Sequence, residues 1–496
     1  MQKKQTILVV ASLLVVVLSV TLAYFTAQII GKGKNVTINS ADLKIIFTDS
    51  DGSISGSNIE PGKWNVTKTF TIENKSNETY KYNIVIQDLV NTFVTEGYLQ
   101  YKITSTNEGY NMTEFKDVPK SETAKDTILA YSVSIPVGVT QSYTVEFIYK
   151  NDESVDQSDD MGKKLSGTLF ITEGTEDPNK TLYNQLLVDK STKLTRTDFS
   201  KVLTDNNTNT LYTGVEDSKT VYYFAGNATD NWVKFGKNAS NQDLYWRIIR
   251  TNSDGSVRLL YHGTSTTTTD AYIGTSAFNS SYDNIAYVSY MYGSLGSISS
   301  ARENTNNSTI KTTIDNWYIS NLEAKGYTKY LSTTAVYCND RSISSDSINF
   351  GAFTRLGTNK TPSYDCAATE DKFTVDTSTG NGKLTYPIAL MTADEVSFAG
   401  GLYGANTPTW YYYNSVNGSS TGSKFWWLLS PLDSSTSGSS MFIVRGSSNP
   451  GRLNYNYVYS NNGVRQALSL KSCVKYSSGD GSANEPYTIK ETETGC

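Results

Sequence analysis

"YWRIIRTNSDGSVRLLY", residues 245–261, places two short apolar runs on either side of a polar turn. Tyr245–Arg250 and Val257–Tyr261 are rich in the aromatic and branched side chains that strands favour. The intervening "TNSDGS" supplies Asn, Asp and Gly, which form tight turns. The segment therefore predicts a β-hairpin near the start of a C-terminal region that we take as residues 221–496.

Two helices are predicted later in the same region. Ser308 begins the first as its N-cap, and Gly326 ends it. Apolar side chains at helical spacing would form its buried stripe: Ile310, Ile314, Trp317 and Leu322. In "LMTADEVSFAGG", Thr392 and Glu395 have the spacing of a capping box, in which each side chain bonds to the backbone N–H of the other residue. Helices set among strands predict an α+β arrangement here.

Four strands are predicted near the end of the chain. They are "FWWLLSP" (425–431), "SMFIVRG" (440–446), "GRLNYNYVYS" (451–460) and "GVRQALSL" (463–470). Asn449-Pro450-Gly451 is predicted as one turn, and Asn461-Asn462-Gly463 as a hairpin turn of the kind that Asn-Gly favours. The strands would then form a meander.

Residues 34–173 alternate apolar and polar side chains, as the strands of a β-sandwich do. The clearest runs are "NVTKTFTIEN" (65–74), "TYKYNIVIQ" (79–87) and "SYTVEFIYK" (142–150). Residues 174–220 follow as a connector, with a polar, Pro-containing start and a short helix near Leu182. The sandwich and the C-terminal region are expected to fold separately.

The N-terminus predicts export. Lys3 and Lys4 precede a run without charges, Ile7–Ile30, which is long enough to span a bilayer. The same run fits a signal peptide cleaved after Ala23, so residues 1–31 are either a signal peptide or a membrane anchor. The rest of the chain is expected outside the cell, secreted or anchored to the membrane through this helix.

Cysteine usage agrees with an exported protein. The chain has four cysteines, Cys338, Cys366, Cys473 and Cys496, and an even number in an oxidising compartment favours two disulfides. Three pairings are possible, and the order along the chain favours Cys338–Cys366 and Cys473–Cys496. A metal site made of all four thiols is a weaker alternative, because the sequence has no C-x-x-C pair.

The residues that catalysis uses are sparse. His262 is the only histidine, so the chain cannot build a multi-histidine zinc site, and it lies at a strand end without a signature around it. Asp394 and Glu395 are adjacent, so on a helix they point in different directions and suit a helix cap better than a glycosidase pair. No cofactor or metal site is predicted, and the net charge of −5 gives no general attraction to nucleic acid.

Two resemblances suggest a family context. The charge-free helix ending in "LAYFTA", followed by "DLKIIFTD" and "IEPGKWNVTKTFTIENKSNETYKYNIVI", resembles the camelysin and TasA-like surface and matrix proteins of Gram-positive bacteria. This resemblance covers about the first third of the chain. It implies a jelly-roll-like sandwich with a structural or adhesive role at the surface of a Gram-positive bacterium. No zinc-protease motif accompanies it.

The C-terminal region resembles the fold of C-type lectins and formylglycine-generating enzymes, through "LMTADEVSFAGG", "WWLLSP" and "GVRQAL". It is also similar to an uncharacterised module of exported gut-bacterial proteins that carries "YWRIIR", "DGSVRLLY", "YCNDRS" and "GVR". Ala225 and Gln466 depart from that module, which usually has Arg and Pro there. Because the sequence offers no catalytic constellation, we expect a non-catalytic cell-surface binding protein or adhesin that displays this lectin-like module; a structural biofilm-matrix or surface-layer component is the alternative.

The lectin-like resemblance implies a contact face at "GRLNYNYVYSNNGVR", because the late polar hairpin of such domains is where ligands and proteins are commonly met; the ligand expected here is an unknown glycan or protein. Leu453, Tyr455, Tyr457 and Tyr459 would lie on one side of a strand, and Asn454, Asn456 and Val458 on the other. The predicted ligand-binding residues are Arg445, Arg452, Asn454, Tyr455, Asn456, Tyr457 and Asn461. In the competing interpretation, the tyrosines belong to the core and the asparagines are only solvated.

Overall fold

The computed structural model describes residues 36–37, 43–47, 52–56, 59–175, 177, 180–205, 207–268, 271–344, 349–408, 424–435, 438–446 and 448–496. The chain divides into two compact units, Met1–Pro178 and Asn179–Cys496, and both are mainly β-structure. The predicted signal peptide or membrane anchor, residues 1–31, lies outside the described residues. Within the described ranges, no helix has the length and apolar character needed to cross a membrane.

The first unit has ten described strands. In chain order they are β1 (Val36–Thr37), β2 (Leu43–Phe47), β3 (Ser53–Gly56), β4 (Asn65–Asn74), β5 (Tyr80–Asn91), β6 (Leu99–Ser105), β7 (Lys116–Asp117), β8 (Ser121–Ile135), β9 (Thr140–Tyr149) and β10 (Leu165–Glu173). They form two antiparallel sheets, ordered β1-β2-β4-β9-β6-β7 and β3-β10-β5-β8. Both sheets contribute to one buried core, as in a β-sandwich.

The predicted alternation is present in β4 and β9, where Phe70, Ile72, Val145 and Phe147 are buried. β5 departs from it, because Asn83 is also fully buried. The Asn83 side chain donates to the carbonyl of Glu173 at 2.8 Å and accepts from the N–H of Ser132 at 2.9 Å. A buried amide is tolerated when its hydrogen bonds are made.

The second unit has nineteen described strands. They are β11 (Thr192–Thr195), β12 (Thr210–Glu216), β13 (Lys219–Tyr223), β14 (Trp232–Lys237), β15 (Asp243–Thr251), β16 (Val257–Gly263), β17 (Thr275–Ser276), β18 (Met291–Tyr292), β19 (Asn306–Asn307), β20 (Tyr337–Cys338), β21 (Lys372–Phe373), β22 (Ile388–Leu390), β23 (Trp426–Ser435), β24 (Gly438–Val444), β25 (Leu453–Tyr457), β26 (Asn462–Gly463), β27 (Gln466–Leu470), β28 (Tyr476–Ser478) and β29 (Tyr487–Ile489).

Five described α-helices accompany these strands: α1 (Leu182–Asp189), α2 (Ile298–Ala301), α3 (Thr309–Tyr318), α4 (Gly351–Phe353) and α5 (Ala393–Phe398). π-helical turns extend α3 through Glu323 and α4 through Asn359. Ser308 caps α3 by accepting from the N–H of Lys311, and α5 has the capping box of Thr392 and Glu395. Both predicted caps are therefore confirmed.

The predicted hairpin lies within the large sheet of the second unit. β15 pairs antiparallel with β16, and β16 pairs in turn with β27. The segment expected as a connector also belongs to this unit: α1 buries Leu182 and Leu186 in its core, and β11–β13 extend the sheet. Leucines at helical spacing need an apolar partner, and the C-terminal core supplies it.

A second, five-stranded sheet has the order β17-β26-β23-β24-β25, so β25 lies at an edge. The prediction of a hairpin turn at Asn461-Asn462-Gly463 is wrong, because Asn462 and Gly463 form β26, and the chain turns between Tyr457 and Ser460. Gly463 is needed for packing: a Cβ there would lie 2.6 Å from the ring of Tyr272. The predicted meander ends at β25, since β27 pairs with β16 and β22 in the other sheet.

Both predicted disulfides, Cys338–Cys366 and Cys473–Cys496, are present, with Cα–Cα distances of 5.8 and 5.2 Å. The second ties the last residue to the loop after β27. Disulfides persist in oxidising compartments, so they indicate an extracellular or otherwise oxidising environment.

Candidate functional site

Four tyrosines of the second unit form an exposed surface that we call the tyrosine patch: Tyr282, Tyr455, Tyr457 and Tyr459. Between 39% and 49% of each residue is exposed, whereas every other described tyrosine is buried or half-buried. The rings of Tyr457 and Tyr459 are nearly parallel with centroids 5.8 Å apart, and Tyr282 meets Tyr459 at 4.7 Å. Tyr455 lies two residues before Tyr457 on the same face of β25.

The position of β25 at the sheet edge explains why these tyrosines are exposed. Asn454 and Asn456 lie opposite Ile443 and Met441 of β24, while the backbone N–H groups of Tyr455 and Tyr457 point away from the sheet. The preceding side chains accept from those groups, Asn454 Oδ1 at 2.8 Å and Asn456 Oδ1 at 3.0 Å. In each Asn-Tyr pair, the asparagine side chain therefore caps a backbone N–H at the sheet edge, and the tyrosine side chain is exposed to solvent.

The loop that carries Tyr282 is fixed against the same strand end. The N–H groups of Phe278 and Asn279 both donate to the carbonyl of Val458, at 2.8 and 3.0 Å. Ser439 Oγ donates to the carbonyl of Asn284 at 2.9 Å. Beneath the rings lies Gly438, where a Cβ would come within 3.1 Å of the Tyr457 ring. The patch is thus held in place by contacts within the second unit.

The other predicted site residues differ in their exposure and in the groups that they contact. The guanidinium of Arg445 lies over the Phe425 ring at 5.2 Å and reaches Asn454 at 3.4 Å, and Arg452 donates to Asn406 at 2.9 Å. Asn461 is exposed in the segment that follows the patch. Sequence reasoning missed Tyr282, because no local pattern links it to a strand so much later in the chain.

A second cluster contains the charged groups that catalysts use, and we call it the charged network: Glu216, Arg250, Arg258 and Glu395. Arg250 bridges Glu216 and Glu395 at 2.7 and 2.9 Å, and Arg258 contacts Glu395 at 2.7 Å. All four side chains are buried. Burial alone would raise the pKa of Glu395, but Arg258, Arg250 and the N–H of Thr392 hold it below its ordinary value. Glu395 therefore stays charged and paired.

Beside the network, Arg355 bridges Asp340 and Asp394 at 2.6 and 2.9 Å. The cavity between these groups has a volume of only about 20 Å3, which is room for about one water molecule. The paired side chains therefore leave little free volume between them. The carboxylates Asp394 and Glu395 hold the fold together, which agrees with their interpretation as helix-cap residues.

His262 is fully buried, with its ring edge-on to Trp232 at 4.4 Å. Burial, reinforced by Arg465 and Arg247, lowers the pKa of His262 well below 6.5, so the imidazole is neutral. Among the residues described, no group of three or more His, Cys, Asp or Glu side chains is placed to hold a metal ion. Neither the charged network nor His262 has the features of a binding site, and within the second unit we take the tyrosine patch as the candidate site.

No family model matches the chain, and no curated protein matches it either.

Proposed function

We propose that this chain is a non-catalytic binding protein of the bacterial surface, an adhesin or receptor, whose second unit holds its ligand on the tyrosine patch. The supporting observation is that all the exposed tyrosines of the described chain lie together on one surface. Tyrosine offers a large rigid area with a polar tip, and it is enriched where proteins bind other molecules.

The location at a Gram-positive cell surface is part of the proposal. It is supported by the two disulfides and by the apolar run Ile7–Ile30. We also propose that residues 221–496 are a lectin-like domain and that residues 34–173 are a camelysin-like sandwich. Both assignments rest on the sequence motifs that carry the two resemblances.

The structural alternative requires the sandwich to assemble, and its long edge strand β8 argues against assembly through that edge. Glu122, Lys125 and Asp126 are exposed on β8, and its register with β5 is broken at four points. Charges and irregularities of this kind oppose pairing between edge strands. Fibre formation through the β8 edge therefore has little support.

The test is a binding screen of the full chain against immobilised glycans and host matrix proteins. We expect a ligand whose binding is lost when Tyr457 and Tyr459 are both replaced by Ala. Val188→Ala is the matched control, since Val188 is 70% exposed on α1 and takes no part in the patch. A ligand that binds both variants equally would place the site elsewhere.

A further inference from the structure

We infer that the ligand of the tyrosine patch is an uncharged saccharide chain that lies across the tyrosine rings. This inference rests on the proposed function and adds the chemical class of the ligand. It follows from the spacing of the rings, the charge around them, the exposed area and the state of the strand edge.

The ring spacing excludes ligands that insert between aromatic side chains. A prolyl ring or a quaternary ammonium held between two rings needs a contact of 3.5–4.0 Å on each side, hence a separation of roughly 7–8 Å. The centroids are 4.7 Å apart for Tyr282 and Tyr459 and 5.8 Å apart for Tyr457 and Tyr459. Both gaps are closed, so a ligand does not enter between these two pairs of rings and instead lies against their exposed surfaces.

The charge around the patch disfavours nucleic acid, the other ligand that stacks on aromatic rings. Proteins that stack bases also provide a positively charged groove for the phosphates. Here Asp283 follows Tyr282 directly and is exposed, and the whole chain has a net charge of −5. Of the nearby cations, Arg445 packs on Phe425 and Arg452 bonds to Asn406. A neutral ligand suits this surface better than a polyanion.

The size of the patch disfavours a folded protein. With 39–49% of each tyrosine exposed, the four side chains present roughly 250–450 Å2, taking 150–250 Å2 for a whole aromatic side chain. A stable protein interface covers about 800 Å2 on each partner. The asparagine caps also occupy the outward N–H groups of β25, so a peptide strand cannot add there without displacing them. The exposed rings alone are therefore suited to a narrow ligand, whereas a folded protein would have to cover surface beyond the patch.

A saccharide satisfies these four conditions. One face of a pyranose ring presents C–H bonds, whose slight positive charge matches the negative face of an aromatic ring. Its hydroxyl groups can pair with the tyrosine hydroxyls, which both donate and accept, and with the amide of exposed Asn461. The near-parallel rings of Tyr457 and Tyr459 would each take part of the chain.

The experiment is titration calorimetry of the full chain with a panel of neutral oligosaccharides that differ in linkage, including cellohexaose and chitohexaose. A proline-rich decapeptide and a single-stranded oligonucleotide serve as comparison probes. We expect at least one neutral saccharide to bind. Tyr457→Ala should weaken that binding about tenfold or more, from the loss of one stacking contact and the ring area that the saccharide covers. Tyr457→Phe, which keeps the ring and removes only the hydroxyl, should weaken it less than Tyr457→Ala does. Val188→Ala and added EDTA should leave it nearly unchanged.

Three results would overturn the inference. If the peptide or the oligonucleotide binds through the patch and no saccharide does, the ligand class is wrong while the proposed function survives. If a saccharide binds equally to wild type and Tyr457→Ala, or only without EDTA, stacking on the patch is not the mode of binding. If neither this panel nor the glycan and matrix screen gives a ligand, the proposed function fails as well.

Discussion

The charged network and the tyrosine patch belong to the same unit, but they differ in charge and in exposure to solvent. The network has four ionisable side chains, all buried and all paired, around a space for about one water molecule. The patch has neutral rings, about half exposed, on a strand edge. Reactive residue types therefore mark where this fold is stabilised, and the exposed aromatic area marks where we propose that it binds. Four predictions test that division.

The largest effect is expected from Glu395→Gln, which keeps the size of the side chain but removes the charge shared by Arg250 and Arg258. Removing one partner of a buried ion pair costs about 3–5 kcal/mol. Denaturant unfolding of the second unit measures it. Asp243→Asn is the control, because the carboxylate of Asp243 pairs with Lys237 near the surface, and its loss should cost less than about 1 kcal/mol. Equal costs for the two variants would show that the network is not structural.

The network also predicts sensitivity to acid. Burial tends to raise the pKa of Glu216 and Glu395, but their arginine partners lower both below the ordinary 4.5. The unfolded chain therefore takes up protons at a higher pH than the folded chain does. The stability that these carboxylates contribute is present above about pH 4.5 and is lost as the pH falls through their lower folded-state values. The melting temperature of Glu395→Gln should fall less steeply below that pH than that of wild type; parallel curves would contradict the assignment.

The contrast also explains what the sequence could predict. The capping box and the Ser308 cap depend on residues within three positions of each other, and both are confirmed. Arg250 donates to Glu395, which lies 145 positions later in the chain, and no local sequence pattern indicates that contact. For β25, the alternation places Leu453 with the tyrosines, yet Leu453 is fully buried and Tyr455 is exposed. The burial of these side chains depends on which part of β25 is covered by the rest of the unit. Tertiary packing, not the local alternation, sets that coverage.

A smaller effect is expected from replacing Asn454 and Asn456 by Ala together. Each accepts from an outward backbone N–H, and Asn456 also bonds to Ser460 and Asn462. A hydrogen bond of this kind contributes about 0.5–1.5 kcal/mol. The exposed donors should also let the edge pair with another molecule, which sedimentation at increasing concentration would detect. Asn461→Ala is the control, and a double variant as stable and as monomeric as that control would show that the asparagines do not cap the edge.

The smallest change in stability is expected from Tyr457→Ala, and that small change is what makes the patch testable. The side chain is 41% exposed and its main ring contact is with another exposed tyrosine, so its loss should cost less than about 1 kcal/mol. Tyr223 is the internal comparison: it is 1% exposed among Tyr212, Tyr364 and Phe398, and Tyr223→Ala should cost about 3–5 kcal/mol, as truncation of other core aromatics does. If thermal unfolding shows similar losses of stability for the two variants, Tyr457 belongs to the scaffold. A loss of binding in Tyr457→Ala would then not show that the Tyr457 ring contacts the ligand. If Tyr457→Ala melts like wild type and no longer binds, the Tyr457 ring itself contacts the ligand, because the variant is then folded as wild type is.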